Sequence, residues 1–163
     1  MSWLLERLRK YKDDRGMMAN LRCILVDNKK HRAWPILNRL GVAIDNDDLA
    51  YVAGLFATHP EEMTSGNFGA TCKTIEVRRG DKRSDDNKLT PTERRFQHLL
   101  SAEKGDELKS RVLRMVLMAK SQGVPVNYEK LETDLKFWSD RTKNEWATAF
   151  WTQGMVSSKE VDI

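Results

Sequence analysis

The 163-residue chain is 32% charged and 40% hydrophobic, carries a formal charge of +4, and holds only 9 Gly and 4 Pro. That composition suits a helix-rich globule, one domain or two small subdomains, with strands a minor expectation. No apolar run nears the roughly 20 residues that span a bilayer. Met1-Ser2-Trp3-Leu4-Leu5-Glu6-Arg7 lacks a signal-peptide core, so a cytoplasmic protein without membrane contact is expected.

In chain order, residues 3–12 read as an amphipathic helix with Trp3, Leu4 and Leu8 inward. Asp13-Asp14 opens a second, with Met17 or Met18, Leu21, Ile24 and Leu25 inside and Arg15 and Arg22 outside. Lys29-Lys30-His31-Arg32 forms a basic connection to a third helix that begins at Ala33-Trp34-Pro35 and ends at Gly41. Asp45 to Asp48 caps a fourth, striped by Leu49, Val52, Ala53 and Phe56, in which Gly54 marks close packing. A fifth runs from about Asn67 to Val77 on Phe68, Cys72 and Ile75.

Arg78 to Lys88 is the least ordered stretch by composition. Thr90-Pro91-Thr92-Glu93 then starts a sixth helix with a capping-box pattern, its Phe96, Leu99 and Leu100 inward. A seventh carries Leu108, Val112, Met115, Val116 and Ala119 on one face and Arg111 and Arg114 on the other, and stops at Gly123 and Pro125. Asn127 caps an eighth, with Leu131, Leu135 and Trp138 on one side. Ser139 or Asp140 caps a ninth, with Trp146, Ala149 and Phe150 on one face; the tail after Thr152 is expected to fray. The expected fold is all-α: about nine helices in two bundle-like subdomains, residues 1–78 and 91–163, joined by a charged flexible loop at 79–90.

Charge is unevenly spread. Residues 1–44 hold ten basic and four acidic side chains, a balance of +6, and the remainder nets −2. Arginines on rigid helices can grip phosphates bidentately and release condensed counterions. Arg15, Arg22, Lys29, Lys30, Arg32, Arg94, Arg95, Arg111 and Arg114 are the leading candidates for nucleic-acid contact. Lys73, Lys120, Lys136, Arg141 and Lys143 rank second. Taken singly, each also fits an ordinary solvated charge.

Other chemistry has little support. Cys23, Cys72, His31, His59 and His98 fall at no ligand spacing, so no metal or cofactor is assigned. Phosphate loops, serine elbows and nucleotide fingerprints are missing, so no enzyme is expected. The tryptophans fall on apolar faces and read as core rather than base-stacking platforms. A helical adaptor that bridges proteins without touching nucleic acid is the alternative.

Several motifs together carry a resemblance along nearly the whole chain. They are Asp14-Arg15-Gly16 with Ala19, Leu21 and Arg22; Ala33-Trp34-Pro35 with Leu37 and Gly41; and Val52-Ala53-Gly54-Leu55-Phe56-Ala57 with His59-Pro60. Asn67-Phe68-Gly69, Glu93-Arg94-Arg95-Phe96 with Leu99-Leu100, Ala119 to Tyr128, Leu131, Asp134, Leu135, Trp138, Trp146-Ala147 and Phe150-Trp151 continue it. In order and spacing these resemble the CasB family, the small subunit of the type I-E CRISPR interference complex (Cascade). One departure is Cys23, where the family commonly has a second arginine.

The resemblance implies an all-helical, non-catalytic subunit of an antiviral RNA-guided complex. Its implied partners are the backbone and large PAM-reading subunits, a second copy of itself, the guide-RNA assembly and target DNA. The implied task is to hold opened target DNA on a basic surface and stabilise the R-loop.

Overall fold

Local capping chemistry sets most of the helix starts. In a computed structural model, residues 2–85 and 87–152 are described and form nine α-helices and two 3-10 turns, with no β-strand among them. The side chains of Ser2, Asp14, Asn46, Asn67, Thr90, Asn127 and Ser139 each accept a hydrogen bond from a backbone N–H three residues on. The tail after Thr152, expected to fray, lies outside the described residues.

Two units divide the chain, Met1–Glu62 and Met63–Ile163. The first contains α1 (Trp3–Lys10), α2 (Arg15–Arg22), 3-10 turns at Cys23–Leu25 and Asp27–Arg32, α3 (Trp34–Leu40) and α4 (Asp47–Thr58). α4 is its centre. Every residue from Ala50 to Thr58 is buried rather than the single stripe expected, because α1, α2 and the Cys23–Leu25 turn all pack on it. Trp3 is not inward: Leu4, Leu5 and Leu8 fill the core, while Trp3 stays 43% exposed beneath the Arg7 guanidinium.

Gly54 does mark a close approach. A Cβ there would lie 2.5 Å from Ile24 Cγ2 and 3.0 Å from Leu25 Cδ2. Gly54→Ala gains about 1 kcal/mol of helix propensity and loses roughly 1–3 kcal/mol to overpacking. Because the opposing atoms are side-chain ends, a net destabilisation of about 1 kcal/mol is expected, read as a lower urea midpoint. A raised midpoint would show that the Cys23–Leu25 turn gives way freely.

The second unit contains α5 (Phe68–Arg79), α6 (Pro91–Leu100), α7 (Asp106–Gln122), α8 (Tyr128–Lys136) and α9 (Asp140–Trp151). The expected division at residue 78 grouped α5 with the first four helices; the structure packs it on α9, α7 and α6. The cause is local. Gly69 lets the α5 backbone meet α9, since a Cβ there would sit 2.1 Å from the Trp146 carbonyl oxygen. Around that crossing Phe68 lies 5.3 Å from Trp146, and Phe96 stacks on Phe150 at 4.5 Å between centroids. Trp146 and Phe150 are fully buried, whereas Trp138 and Trp151 are half-buried.

Candidate nucleic-acid interface

Asp14 starts α2, which puts Arg15 at its first position and Arg22 at its last, seven residues and about two turns apart on one side. Met17, Met18 and Leu21 bury the opposite side. Arg15 has no side-chain partner among the described residues, and Arg22 makes only a 3.5 Å contact from Nη1 to the Ala57 carbonyl. The 3-10 turn Asp27–Arg32 then presents Lys29, Lys30, His31 and Arg32, all exposed. Within that turn the one carboxylate is Asp27, 3.7 Å from Lys30. Lys29 and Arg32 have no partner among the described residues.

Other arginines of the first unit are spent internally. Arg7 donates to the Leu40 carbonyl at 2.7 Å, holding the end of α3. Arg9 grips Glu62 bidentately at 2.8 and 2.9 Å.

In the second unit, the Thr90 cap places Arg94 and Arg95 in the first turns of α6, both exposed. Arg95 is unpartnered among the described residues; Arg94 reaches the Leu89 carbonyl at a long 3.5 Å. Arg111 and Arg114, expected to act together, are separated in role. Arg111 pairs with Glu107 at 2.7 Å and donates to the His98 carbonyl at 2.7 Å and to Ser101 Oγ at 3.1 Å, tying α7 to the C-terminal end of α6. Arg114 and Lys120 are exposed and unpartnered among the described residues.

The remaining candidates are partly engaged. Lys136 sits over Phe137, Lys143 over Trp138, and Arg141 pairs with Glu145 at 3.3 Å. Lys73 is committed to Glu76 at 2.8 Å.

Sequence reasoning missed an ionic cluster beneath α6. Arg83 donates to both Glu93 carboxylate oxygens at 3.1 and 2.9 Å, and Thr90 N and Trp151 Nε1 donate to the same group. The Arg83 hydrogen bonds, joined by those of Thr90 and Trp151, hold the Glu93 pKa at about 2 against the raising effect of burial. Beside it Asp81 accepts from Thr92 N at 3.1 Å and Glu76 accepts from Thr90 Oγ1 at 2.7 Å. The expected loop at 79–90 is thus pinned through Asp81 and Arg83. A single signal was available, the capping-box glutamate; nothing in the sequence marks Arg83 as its partner.

Among the described residues no three His, Cys, Asp or Glu side chains converge as metal ligands would, and no buried polar side-chain atom lacks a partner. No described helix is long and apolar enough to cross a membrane. Among the described residues the arrangement offers exposed guanidinium and ammonium groups on helices and turns.

The sequence matches the family of CRISPR-associated protein Cse2 (CRISPR_cse2) over residues 17–151. The chain belongs to the Cse2 family. Solved Cse2 and CasB structures share its fold. A CRISPR-associated protein of the Cse2 family from Thermus thermophilus superposes with a TM-score of 0.70 at 17% identity, covering 91% of this chain and 95% of that one. A structure of CasB from Thermus thermophilus gives 0.67 at 16% identity, with the same coverages. M. ruber CasB gives 0.64 at 19% identity, covering 98% of both chains. A comparison with curated proteins gives no match.

Cse2 membership makes this a small subunit of the CRISPR Cascade complex, a structural component assembled with other Cas subunits. The matched span takes in every candidate cation except Arg15, which lies just ahead of it. Within this Cse2 fold the candidates sort by employment: Arg111 ties α7 to α6, Lys73 pairs with Glu76 of its own helix, and Lys29, Arg32, Arg95, Arg114 and Lys120 have no partner among the described residues.

Proposed function

We propose that this Cascade small subunit is non-catalytic, belongs to the type I-E complex, and holds opened target DNA by its phosphate backbone, stabilising the R-loop. The observation that carries the reading is the run of exposed cations Arg15, Arg22, Lys29, Lys30 and Arg32 along α2 and the Asp27–Arg32 turn. The acids along this stretch are Asp13, Asp14 and Asp27; Asp14 is occupied in capping α2, and Asp27 lies 3.7 Å from Lys30. Exchange of a DNA duplex for a guide–target heteroduplex is nearly balanced, so modest backbone contacts tip it. Contacts of this kind need charge and rigidity and no base reading. Arg94, Arg95, Arg114 and Lys120 extend the same chemistry in the second unit, while Arg111 acts by positioning α6 and α7. The partners proposed are the backbone and large PAM-reading subunits, a second copy of this chain and the guide-RNA assembly.

Salt-dependent binding tests it. Arg94→Ala with Arg95→Ala is expected to weaken binding alike across DNA sequences. It should also flatten the log–log salt slope by about 1 for each lost phosphate contact. An unchanged slope removes the pair from the site. The adaptor reading draws on exposed apolar side chains, Val77 at 66% and Phe137 at 62%. Charge reversal at Arg15, Lys29 and Arg32 separates the two: DNA retention is lost with assembly intact if the cations hold DNA, and retained if the chain only bridges proteins.

A further inference from the structure

Five tryptophans were expected to serve the core, and three do bond through the indole N–H. Trp138 donates to the Ala102 carbonyl at 3.1 Å, Trp146 to Asp134 at 2.8 Å and Trp151 to Glu93 at 2.8 Å. Trp3 lies beneath the Arg7 guanidinium at 4.7 Å. Trp34 has neither arrangement among the described residues. It is 42% exposed, its indole N–H bonds to nothing described, and its one ring neighbour is His31, edge-on with centroids 6.4 Å apart and planes at 74°.

The backbone that carries this ring is held in place. Trp34 opens α3 and precedes Pro35, while its neighbours Ala33, Ile36 and Leu37 are buried. The Asp27–Arg32 turn before it is closed by backbone bonds from Lys29 N to the Val26 carbonyl at 2.9 Å and from Ala33 N to the Lys30 carbonyl at 3.0 Å. An exposed indole therefore stands on rigid backbone within five residues of Lys29, Lys30 and Arg32. Stacking rings interleaved with cations are how proteins hold single strands without reading sequence, because every base has a π-face.

We propose that Trp34, edged by His31 and flanked by Lys29, Lys30 and Arg32, is a stacking platform for an unpaired base of single-stranded DNA. The inference rests on the DNA-binding reading above and adds to it a contact with the base rather than the phosphate. It also predicts a preference for single strand over duplex at this face, since paired bases hide their faces.

Fluorescence titration of the full chain decides it, using an oligothymidylate of about 15 nucleotides, the same length of abasic strand, and a duplex, at about 50 mM salt. Trp34→Ala is expected to weaken oligothymidylate binding roughly tenfold, with the salt slope and duplex binding unchanged. Trp34→Phe should recover most of the loss, and the wild type should bind the abasic strand as weakly as Trp34→Ala binds oligothymidylate. Circular dichroism and the melting temperature of each variant check that α3 persists. Oligothymidylate binding by a folded Trp34→Ala equal to wild type overturns the platform while leaving the phosphate-binding function standing. Equal losses for single strand and duplex overturn it as well, as does a variant that loses only assembly with other subunits, which makes the ring a protein contact. A wild-type chain that binds none of the three strands sinks the platform and the proposed function together.

Discussion

Gly69→Ala is expected to lower the melting temperature by roughly 10 °C or more. The new Cβ would sit 2.1 Å from the Trp146 carbonyl oxygen, 2.7 Å from its carbonyl carbon and 2.8 Å from its Cα. All three are backbone atoms, so no rotamer change relieves the overlap. α5 and α9 must part, and with them the Phe68–Trp146 contact at 5.3 Å and the Asn67 Nδ2 bond to the Glu145 carbonyl at 3.2 Å. Overpacking usually costs about 1–3 kcal/mol; a helix crossing forced apart belongs at or above the top of that range, about 3–5 kcal/mol. For a chain of this size each kcal/mol moves the midpoint by about 2–4 °C.

A matched control is available in Gly16→Ala, where the new Cβ meets nothing nearer than Asp14 Oδ1 at 3.7 Å. That change is expected to be neutral or to stabilise by up to about 1 kcal/mol. Parallel thermal melts of the two variants give the comparison. Equal behaviour would mean that the α5–α9 crossing is looser than its geometry indicates.

Gly69 also shows where the sequence stops being readable. Thr90 and Asn127 were legible as helix caps because their signal lies within three residues, and Asp14 and Asn67 were legible as helix starts, which they cap. Gly41 and Gly123 were legible as helix ends; both adopt left-handed backbone, with φ of +79° and +65°. The allegiance of α5 was not, because it depends on a carbonyl in α9, 77 residues away. For the same reason the arginines could not be sorted. Arg7 is consumed by a carbonyl 33 residues on and Arg78 by carbonyls 44 and 45 residues on, whereas Arg95 and Arg114 have no partner among the described residues. Arg111 looked like the twin of Arg114 by helical spacing. It differs because the end of α6 lies within its reach, and spacing within one helix cannot reveal that. Trp34 was misread for the opposite reason: its neighbours are apolar, but they turn inward and leave it out.

Glu93→Gln is expected to cost on the order of 3 kcal/mol at neutral pH and to flatten the acid dependence of stability. The Glu93 side chain is 2% exposed and accepts from Arg83, Thr90 N and Trp151. Its carboxyl titrates at about 2 in the folded chain against 4.5 for an unperturbed glutamate, the Arg83 hydrogen bonds being the largest cause. A folded-state pKa below the unfolded value means that the unfolded chain binds the proton first. The stabilisation is therefore complete above pH 4.5 and is lost as the pH falls from 4.5 towards 2. Glutamine keeps the shape but drops the charge, leaving the Arg83 guanidinium beside a neutral amide whose NH2 group replaces an accepting oxygen and faces other donors. Urea unfolding at pH 7 and again near pH 3 separates this cluster from general acid destabilisation. The gap between wild type and Glu93→Gln should be wide at pH 7 and clearly narrower near pH 3, because the wild-type carboxylate is then giving up the advantage that the variant never had. An equal gap at both pH values would mean that Glu93 stabilises α6 by packing and capping alone, and that its bond to Arg83 contributes little.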